Sequence, residues 1–398
     1  MSRYTFIQSA LVYMGMLQYV HSFVSRSTTL RRAAFVSFSP HRQGSRRLFA
    51  TDGKKRVVFL GSPDVAATTL QTIYDASILP DSIFEVTSVV TQPPKRRKKK
   101  VEPTPVGKVA EELGLPILCP EKANDKEFLD KFAEEVRPDL CITAAYGQYL
   151  PKRFLATPVY GTVNIHPSLL PRWRGAAPVQ RSLEAGENPV GVTVLYTVSK
   201  MDAGPIIAQK ETEIGENDQA TTVLPMLFQV GTKLLLEKIP DILEGRITME
   251  TATPQDESVA TAAAMIDKSE AEFKVWEESA RTCHDRLRGL SMWPGAFMYF
   301  RVGDREELFR LRIVETRVVQ GTAEPTDVVK LGPSEDDGMY VVCHDGSILE
   351  LVTIQTTKKP YSARDFQNGY STETIRWVNP TQEEAANPTK DDSKVAAS

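Results

Sequence analysis

Val57-Val58-Phe59-Leu60 is an unbroken apolar run, entered from Arg56, ended by Gly61 and followed at once by Ser62-Pro63-Asp64. A run without polar alternation is a strand covered on both faces, which is how strands of parallel sheets read. Ser62 offers an N-cap and Pro63 a first helical residue, so a helix is predicted through Ala66, Leu70 and Ile73. The pattern recurs: residues 84–90 read as a second strand and 139–145 as an apolar one, with Ile117-Leu118 a shorter strand, and residues 104–113 (ended by Gly114) and 128–136 read as helices. Strands alternating with helices imply a parallel sheet with helices on both faces. Sites in such sheets lie beyond the carboxyl ends of the strands, where Gly61, Tyr146-Gly147-Gln148 and His166 fall. The G-x-G-x-x-G fingerprint is absent, which argues against a dinucleotide fold.

Further along, residues 178–185 read as a helix, 191–198 alternate like a strand, Lys200-Met201-Asp202-Ala203-Gly204 is a turn, and 220–239 is a long amphipathic helix. Residues 248–264 are polar and small, which suits a linker. From Ser269 the texture changes to a helix over 276–287, capped by Gly289, and short strands at 296–301, 308–318, 339–343 and 348–354. A chain of 398 residues fits two domains with extensions. The expected division is 54–245 for the first domain, 246–268 for the linker, 269–380 for a small β-rich domain and 381–398 for a polar tail predicted to be disordered.

Residues 1–50 hold seven Arg and neither Asp nor Glu, the composition of an organellar presequence. Mitochondrial matrix or plastid stroma is the expected location. Residues 6–24 are too interrupted by polar side chains for a membrane anchor. Without those 50 residues the formal charge moves from −3 to −10, so contact with nucleic acid needs a local basic patch. The four cysteines are widely spaced, with no C-x-x-C, and neither His284 nor His344 has a partner at ligand spacing. No disulfide framework, metal or membrane partner is expected, and the chain is expected to be a monomer.

Chemistry concentrates in Val163-Asn164-Ile165-His166-Pro167-Ser168-Leu169-Leu170-Pro171-Arg172-Trp173-Arg174-Gly175. Period two places Val163 and Ile165 on one face of a short strand, with Asn164 and His166 together on the other. An amide that donates and an imidazole that moves a proton suit chemistry on a carbonyl. On spacing alone, N-x-H is more often a solvated strand end and D-x-G a simple turn. Lys95-Arg96-Arg97-Lys98-Lys99-Lys100, between Pro93-Pro94 and Pro103, is six consecutive cations and by itself reads as a solvated loop.

Taken together, these motifs resemble those of the methionyl-tRNA formyltransferases, within the wider group that uses 10-formyltetrahydrofolate. The resemblance spans roughly residues 56–375. It rests most on Ala145-Tyr146-Gly147-Gln148, on Asn164-x-His166-Pro167-Ser168-Leu169-Leu170-Pro171-Arg172-x-Arg174-Gly175-Ala176-Ala177-Pro178 and on Met201-Asp202-x-Gly204, with support from Gly61-x-Pro63-Asp64, Thr91-Gln92-Pro93 and Trp293-Pro294-Gly295-Ala296. It implies a Rossmann-like α/β formyltransferase domain followed by a smaller OB-like β-barrel. It also implies a catalytic triad of Asn164, His166 and Asp202, a folate contact at Ser168, Leu169, Leu170 and Pro171, and a pterin-side wall at Gln148 and Leu150. Lys95, Arg96, Arg97, Lys98, Lys99 and Lys100, with Arg172 and Arg174, fall on the implied tRNA surface. The co-substrate would be 10-formyltetrahydrofolate, and the acceptor the α-amino group of methionine on initiator methionyl-tRNA. Residues 269–380 carry 14 Lys/Arg against 18 Asp/Glu, so an RNA face there needs a cluster, for which Arg281, Arg286, Arg288, Lys358 and Lys359 are the candidates.

The rivals are formyl transfer to glycinamide ribonucleotide or an amino sugar, hydrolysis of 10-formyltetrahydrofolate, and a catalytically silent RNA-binding protein. The basic loop and the Trp293-Pro294-Gly295-Ala296 domain argue against the first, and the intact Asn164, His166 and Asp202 against the last.

Overall fold

The structure, a computed structural model, describes residues 53–97, 100–357 and 359–381. The expected presequence at 1–50, Lys98, Lys99, Lys358 and, apart from Thr381, the expected tail lie outside the described residues.

The first domain runs β1 (Lys55–Gly61), α1 (Asp64–Ser77), β2 (Phe84–Val90), β3 (Lys95–Arg97), β4 (Lys100–Glu102), α2 (Pro105–Glu112), β5 (Ile117–Leu118), α3 (Lys126–Lys131), β6 (Leu140–Ala144), α4 (Lys152–Leu155), β7 (Thr162–His166), β8 (Arg174–Gly175), α5 (Pro178–Glu184), β9 (Val190–Tyr196), β10 (Ile206–Thr212) and α6 (Ala220–Leu243). Its seven-stranded sheet has the order β10-β9-β7-β6-β1-β2-β5. The five strands from β5 to β7 are parallel, as the apolar runs predict. Two antiparallel strands, β9 and β10, complete the far edge. The hairpin strand β10 was not anticipated because its outer residues are polar and half exposed, the mark of a sheet edge. Alternation in the central strands divides the core. Val57, Phe59, Val163 and Ile165 pack with α1 and α6, while Val58, Leu60 and Cys141 face Phe128, Phe132 and Phe154.

Local chemistry shifts some ends. Helix α1 begins after Pro63 without a side-chain cap. The Ser62 hydroxyl instead donates to the Tyr146 carbonyl at 3.3 Å and accepts the Gln92 N–H at 3.3 Å, joining three strand-end loops. The helix predicted over 128–136 is two pieces: α3, capped by the Asp125 carboxylate on the Phe128 N–H, and a wider π-type turn at Phe132–Val136. Arg137, at φ +48°, ends it.

The second domain comprises β11 (Ala262–Ala263), α7 (Ala280–Leu290), β12 (Ala296–Val302), β13 (Phe309–Thr322), β14 (Lys330–Leu331), β15 (Met339–Val342), β16 (Ser347–Gln355), β17 (Tyr361–Ser362), α8 (Ala363–Asn368) and β18 (Ile375–Val378), with β11 belonging to the segment that leads in. The strands are antiparallel in the order β14-β15-β16-β13-β12-β18, with β17 on β16. Bonds from Val329 to Ile375 and from Trp377 to Asp327 bring β18 back beside the approach to β14, so the sheet nearly closes into a barrel. Strict alternation along β12 sends Met298, Phe300 and Val302 inward. Helix α7 starts at Ala280, because the Ser279 hydroxyl caps the Thr282 N–H. Gly289 lies inside this helix and does not cap it. A Cβ there would stand 2.5 Å from the Gln180 carbonyl oxygen, so glycine is what lets α7 rest directly on α5.

The expected linker is partly docked. Strand β11 pairs in parallel with β8 of the first domain, Ala262 opposite Arg174 and Ala263 opposite Gly175. Ala177, Ile266 and Leu290 form a small buried apolar cluster across the domain contact. Polar bonds surround it: Arg181 grips Glu270, His284 reaches the Glu216 carbonyl, and the Gln219 amide donates to the Val314 carbonyl.

Candidate functional site

Strand β7 carries the site's first two groups. Val163 and Ile165 are at most 1% exposed on the core face, and Asn164 and His166 share the other face, as period two requires. Register sets Thr143 of β6 opposite Asn164. The Thr143 hydroxyl donates to Asn164 Oδ1 at 2.8 Å, which leaves the Nδ2 hydrogens as the free half of the amide.

His166 is 4% exposed. Its Nε2 lies 3.0 Å from the Trp173 carbonyl oxygen, which can only accept, so Nε2 carries the proton. Nδ1 then faces Asp202, 3.7 Å from Oδ1. A proton arriving at Nδ1 meets a carboxylate that stabilises the imidazolium. Asp202 sits at φ +48° in the turn predicted from Lys200 to Gly204, and its Oδ2 accepts the Gly175 N–H at 3.0 Å. That turn depends on Gly204, since a Cβ there would lie 1.7 Å from the Tyr196 carbonyl oxygen. The structure therefore brings Asn164, His166 and Asp202 together, from β7 and from the turn between β9 and β10.

The loop after β7 forms the adjoining wall. The Ser168 hydroxyl donates to the Arg172 carbonyl at 2.9 Å, and Thr193 ties the Ser168 carbonyl and the Leu170 N–H. The Leu170 carbonyl accepts from Gln209 at 2.7 Å. Leu170 is buried, Leu169 and Pro171 are half buried, and Leu169 lies against Gly191. Gln148 and Leu150 are committed inward: the Gln148 oxygen accepts the Ala123 N–H at 2.8 Å, and Leu150 joins the cluster of Phe128, Phe132 and Phe154.

Of the residues assigned to RNA, Lys95–Arg97 and Lys100–Glu102 form a two-stranded hairpin. Arg172 pairs with Glu187. Arg174 is turned inward, its guanidinium bonded to the Gln255 side-chain oxygen at 2.8 and 3.0 Å and to Glu257. Lys200 also bonds Glu257, and the two cations hold that carboxyl down at about 2. In the second domain Arg288 is corrected: it is 5% exposed, paired with Asp285 and donating to the Asp218 carbonyl, so it cannot meet phosphate. Arg281 pairs with Glu216 and Arg286 with Glu278. On the outer barrel face Arg310 and Arg312 are exposed, and the Arg310 guanidinium stacks 3.8 Å from the Phe297 ring. Among the described residues no cluster of His, Cys, Asp and Glu could hold a metal, and no helix is long and apolar enough to cross a membrane.

Thr143, Gln255 and Glu257 were missed from sequence. Thr143 left a signal, as the one polar residue in Leu140–Ala144. Gln255 left none, because a lone glutamine in a polar segment resembles solvent-facing linker.

The comparisons with known proteins follow the same architecture. Residues 55–239 match the formyl transferase family model, and residues 265–371 match the model of the formyl transferase C-terminal domain. A methionyl-tRNA formyltransferase of Bacillus licheniformis is 37% identical over 317 residues, 79% of this chain and 95% of the relative. That of Bacillus subtilis is likewise 37% identical, over 79% of this chain and 94% of its own length. In fold, an N-formyltransferase from Helicobacter canadensis, solved with folinic acid and dTDP-3-aminofucose, superposes with a TM-score of 0.51 at 15% identity, over 75% of this chain and 98% of that one.

Proposed function

Because the chain belongs to the methionyl-tRNA formyltransferase family, we propose that Asn164, His166 and Asp202 move the formyl group of 10-formyltetrahydrofolate onto the α-amino group of methionine on initiator methionyl-tRNA, for translation inside an organelle. The observation that carries the reading is the locked amide. Thr143 fixes Asn164 Oδ1, so Nδ2 is aligned as a donor beside an imidazole backed by a carboxylate.

As the amine attacks the formyl carbon, negative charge develops on the formyl oxygen, and a preset amide donor stabilises it without reorganising. His166, its Nε2 hydrogen committed to the Trp173 carbonyl, presents Nδ1 to Asp202 and helps relay the proton beside the developing charge. Asp202 accepts the proton released by the attacking amine, directly or through water; as the intermediate collapses the C–N10 bond breaks and that proton passes to N10, so tetrahydrofolate leaves and the formyl group stays on the methionine nitrogen. The Ser168–Pro171 loop forms the folate-side wall.

Three features support tRNA as acceptor. The family membership comes first. The cation-rich sequence of the paired strands Lys95–Arg97 and Lys100–Glu102 supplies charge for phosphate neutralisation, and its cost in salt follows from counter-ion release. Exposed Arg310 stacked on Phe297 suits stacking and phosphate contact with RNA. The acid-free, Arg-rich first 50 residues support an organellar address, mitochondrial or plastid. Imaging a fluorescent fusion of the first 55 residues tests that address, and diffuse cytosolic signal overturns it.

The activity is tested with protein lacking residues 1–50, 10-formyltetrahydrofolate and charged initiator tRNA. Formyl-methionine is the expected product, and stoichiometric formate in its place would establish the hydrolytic rival.

A further inference from the structure

Gln255 lies in the segment between the domains, yet its amide is fully occupied beside the catalytic turn. Nε2 donates to the Asp202 carbonyl at 2.8 Å and to the Gly204 carbonyl at 2.7 Å. Oε1 accepts from Arg174 Nε at 3.0 Å and Nη2 at 2.8 Å. An amide has two donor hydrogens and two acceptor lone pairs, and all four are used. Arg174 is held in turn by Glu257, which also takes Lys200 from the start of the Asp202 turn. A second arm reaches the carboxylate itself. The Arg174 and Ala176 N–H groups bond to Thr261 and Ala263, and the intervening Gly175 N–H points the opposite way, onto Asp202 Oδ2. Residues 255–263 therefore hold the backbone of Asp202 directly and, by pairing with β8, set the Gly175 N–H that bonds its carboxylate.

We propose that Gln255 is a positioning residue for formyl transfer. It fixes the Asp202 turn against Arg174, so that the interdomain segment is part of the reacting centre. The proposal rests on the reading of Asp202 as the partner of His166. It also gives Arg174 a role within the site, bracing Gln255, in place of a contact with RNA. A catalytic group displaced by about 1 Å can lose roughly 100-fold in rate, so a residue that only places Asp202 still commands turnover.

The test is Gln255→Glu in the full chain. The variant keeps the shape and the oxygen that faces Arg174, and gains a stronger pairing there. It also sets an oxygen against the carbonyls of Asp202 and Gly204. A tenfold or greater fall in kcat is expected, with KM for folate and for tRNA within about twofold and an unchanged unfolding midpoint. A merely structural glutamine would change the midpoint and leave kcat. Gln255→Met, which loses all four bonds without adding charge, is read alongside and should also lower kcat. Arg174→Gln should lower kcat while leaving the salt dependence of tRNA binding unchanged.

Asp202→Asn separates the proposal from its premise. If Asp202→Asn retains near-normal turnover, the premise fails. If it cripples turnover and both Gln255 variants keep theirs, the proposal alone is overturned. Where both are slow, the double variant Asp202→Asn with Gln255→Glu should be no slower than Asp202→Asn. Full multiplication of the two losses would overturn action through Asp202.

Discussion

Replacing Asn164 by Ala removes the amide proposed to donate to the developing oxyanion. Loss of a preorganised oxyanion donor costs about 3–4 kcal/mol, or roughly 10²–10³ in kcat. Stability should hardly change. The Thr143 hydroxyl that loses its acceptor has a second one, the Val163 carbonyl at 3.2 Å, so no buried donor is stranded. The cost in folding is then under about 1 kcal/mol. Two companion variants sharpen the inference. Asn164→Asp keeps the bond from Thr143 and puts a carboxylate oxygen where the donor was, so its kcat should fall at least as far. Thr143→Val leaves the amide in place but frees it to rotate, and should cost about tenfold. The assay is single-turnover formylation at saturating folate and tRNA, with unfolding midpoints measured on the same preparations. Turnover of Asn164→Ala within about fivefold of the unaltered chain would rule out oxyanion stabilisation by this amide, as would a Thr143→Val variant slower than Asn164→Ala.

Gly289→Ala should destabilise by about 1–3 kcal/mol, although Ala is ordinarily the better helix former by about 1 kcal/mol. The added carbon would meet the Gln180 carbonyl at 2.5 Å, and backbone cannot rotate away; an unfolding midpoint at or above the parent's would refute this. Burial depresses the His284 imidazole below its ordinary 6.5, between Thr316, the Glu216 carbonyl, Asp285, Arg281 and Arg288. The folded state then binds fewer protons than the unfolded one, so stability is full above pH 6.5 and falls as pH drops below it. Unfolding midpoints from pH 7.5 to 5 should decline less in His284→Asn than in the parent, and equal declines would contradict the assignment. Arg310→Ala with Arg312→Ala should raise the apparent KM for tRNA and flatten its salt dependence while kcat stays within about twofold, and an unchanged salt slope would remove that face from the RNA surface.

The parallel core could be read from residue order because buried strands leave continuous apolar runs, as in Val57–Leu60 and Leu140–Ala144. Strand β10 and the true start of α7 escaped for opposite reasons. One is a half-exposed edge whose partner alone specifies it, and the other is fixed by a single serine cap. In the site, Asn164, His166 and Asp202 sit in short motifs with recognisable chemistry. Gln255 acts through backbone carbonyls 51 and 53 residues away, a relation that no local pattern encodes. Arg174 shows the converse limit: a cation beside a catalytic loop reads as a phosphate contact until its acceptors, Gln255 and Glu257, are seen.

Acceptor choice is tested by offering three acceptors at once. Protein lacking residues 1–50 is given 10-formyltetrahydrofolate labelled in the formyl carbon, with equimolar initiator methionyl-tRNA, glycinamide ribonucleotide and an amino-sugar nucleotide. The location of the label is then read by mass spectrometry. Label is expected on the α-amino group of methionine, and lost in Asn164→Ala. Label on either small acceptor or in free formate, at comparable or greater yield, would contradict formyl transfer to tRNA.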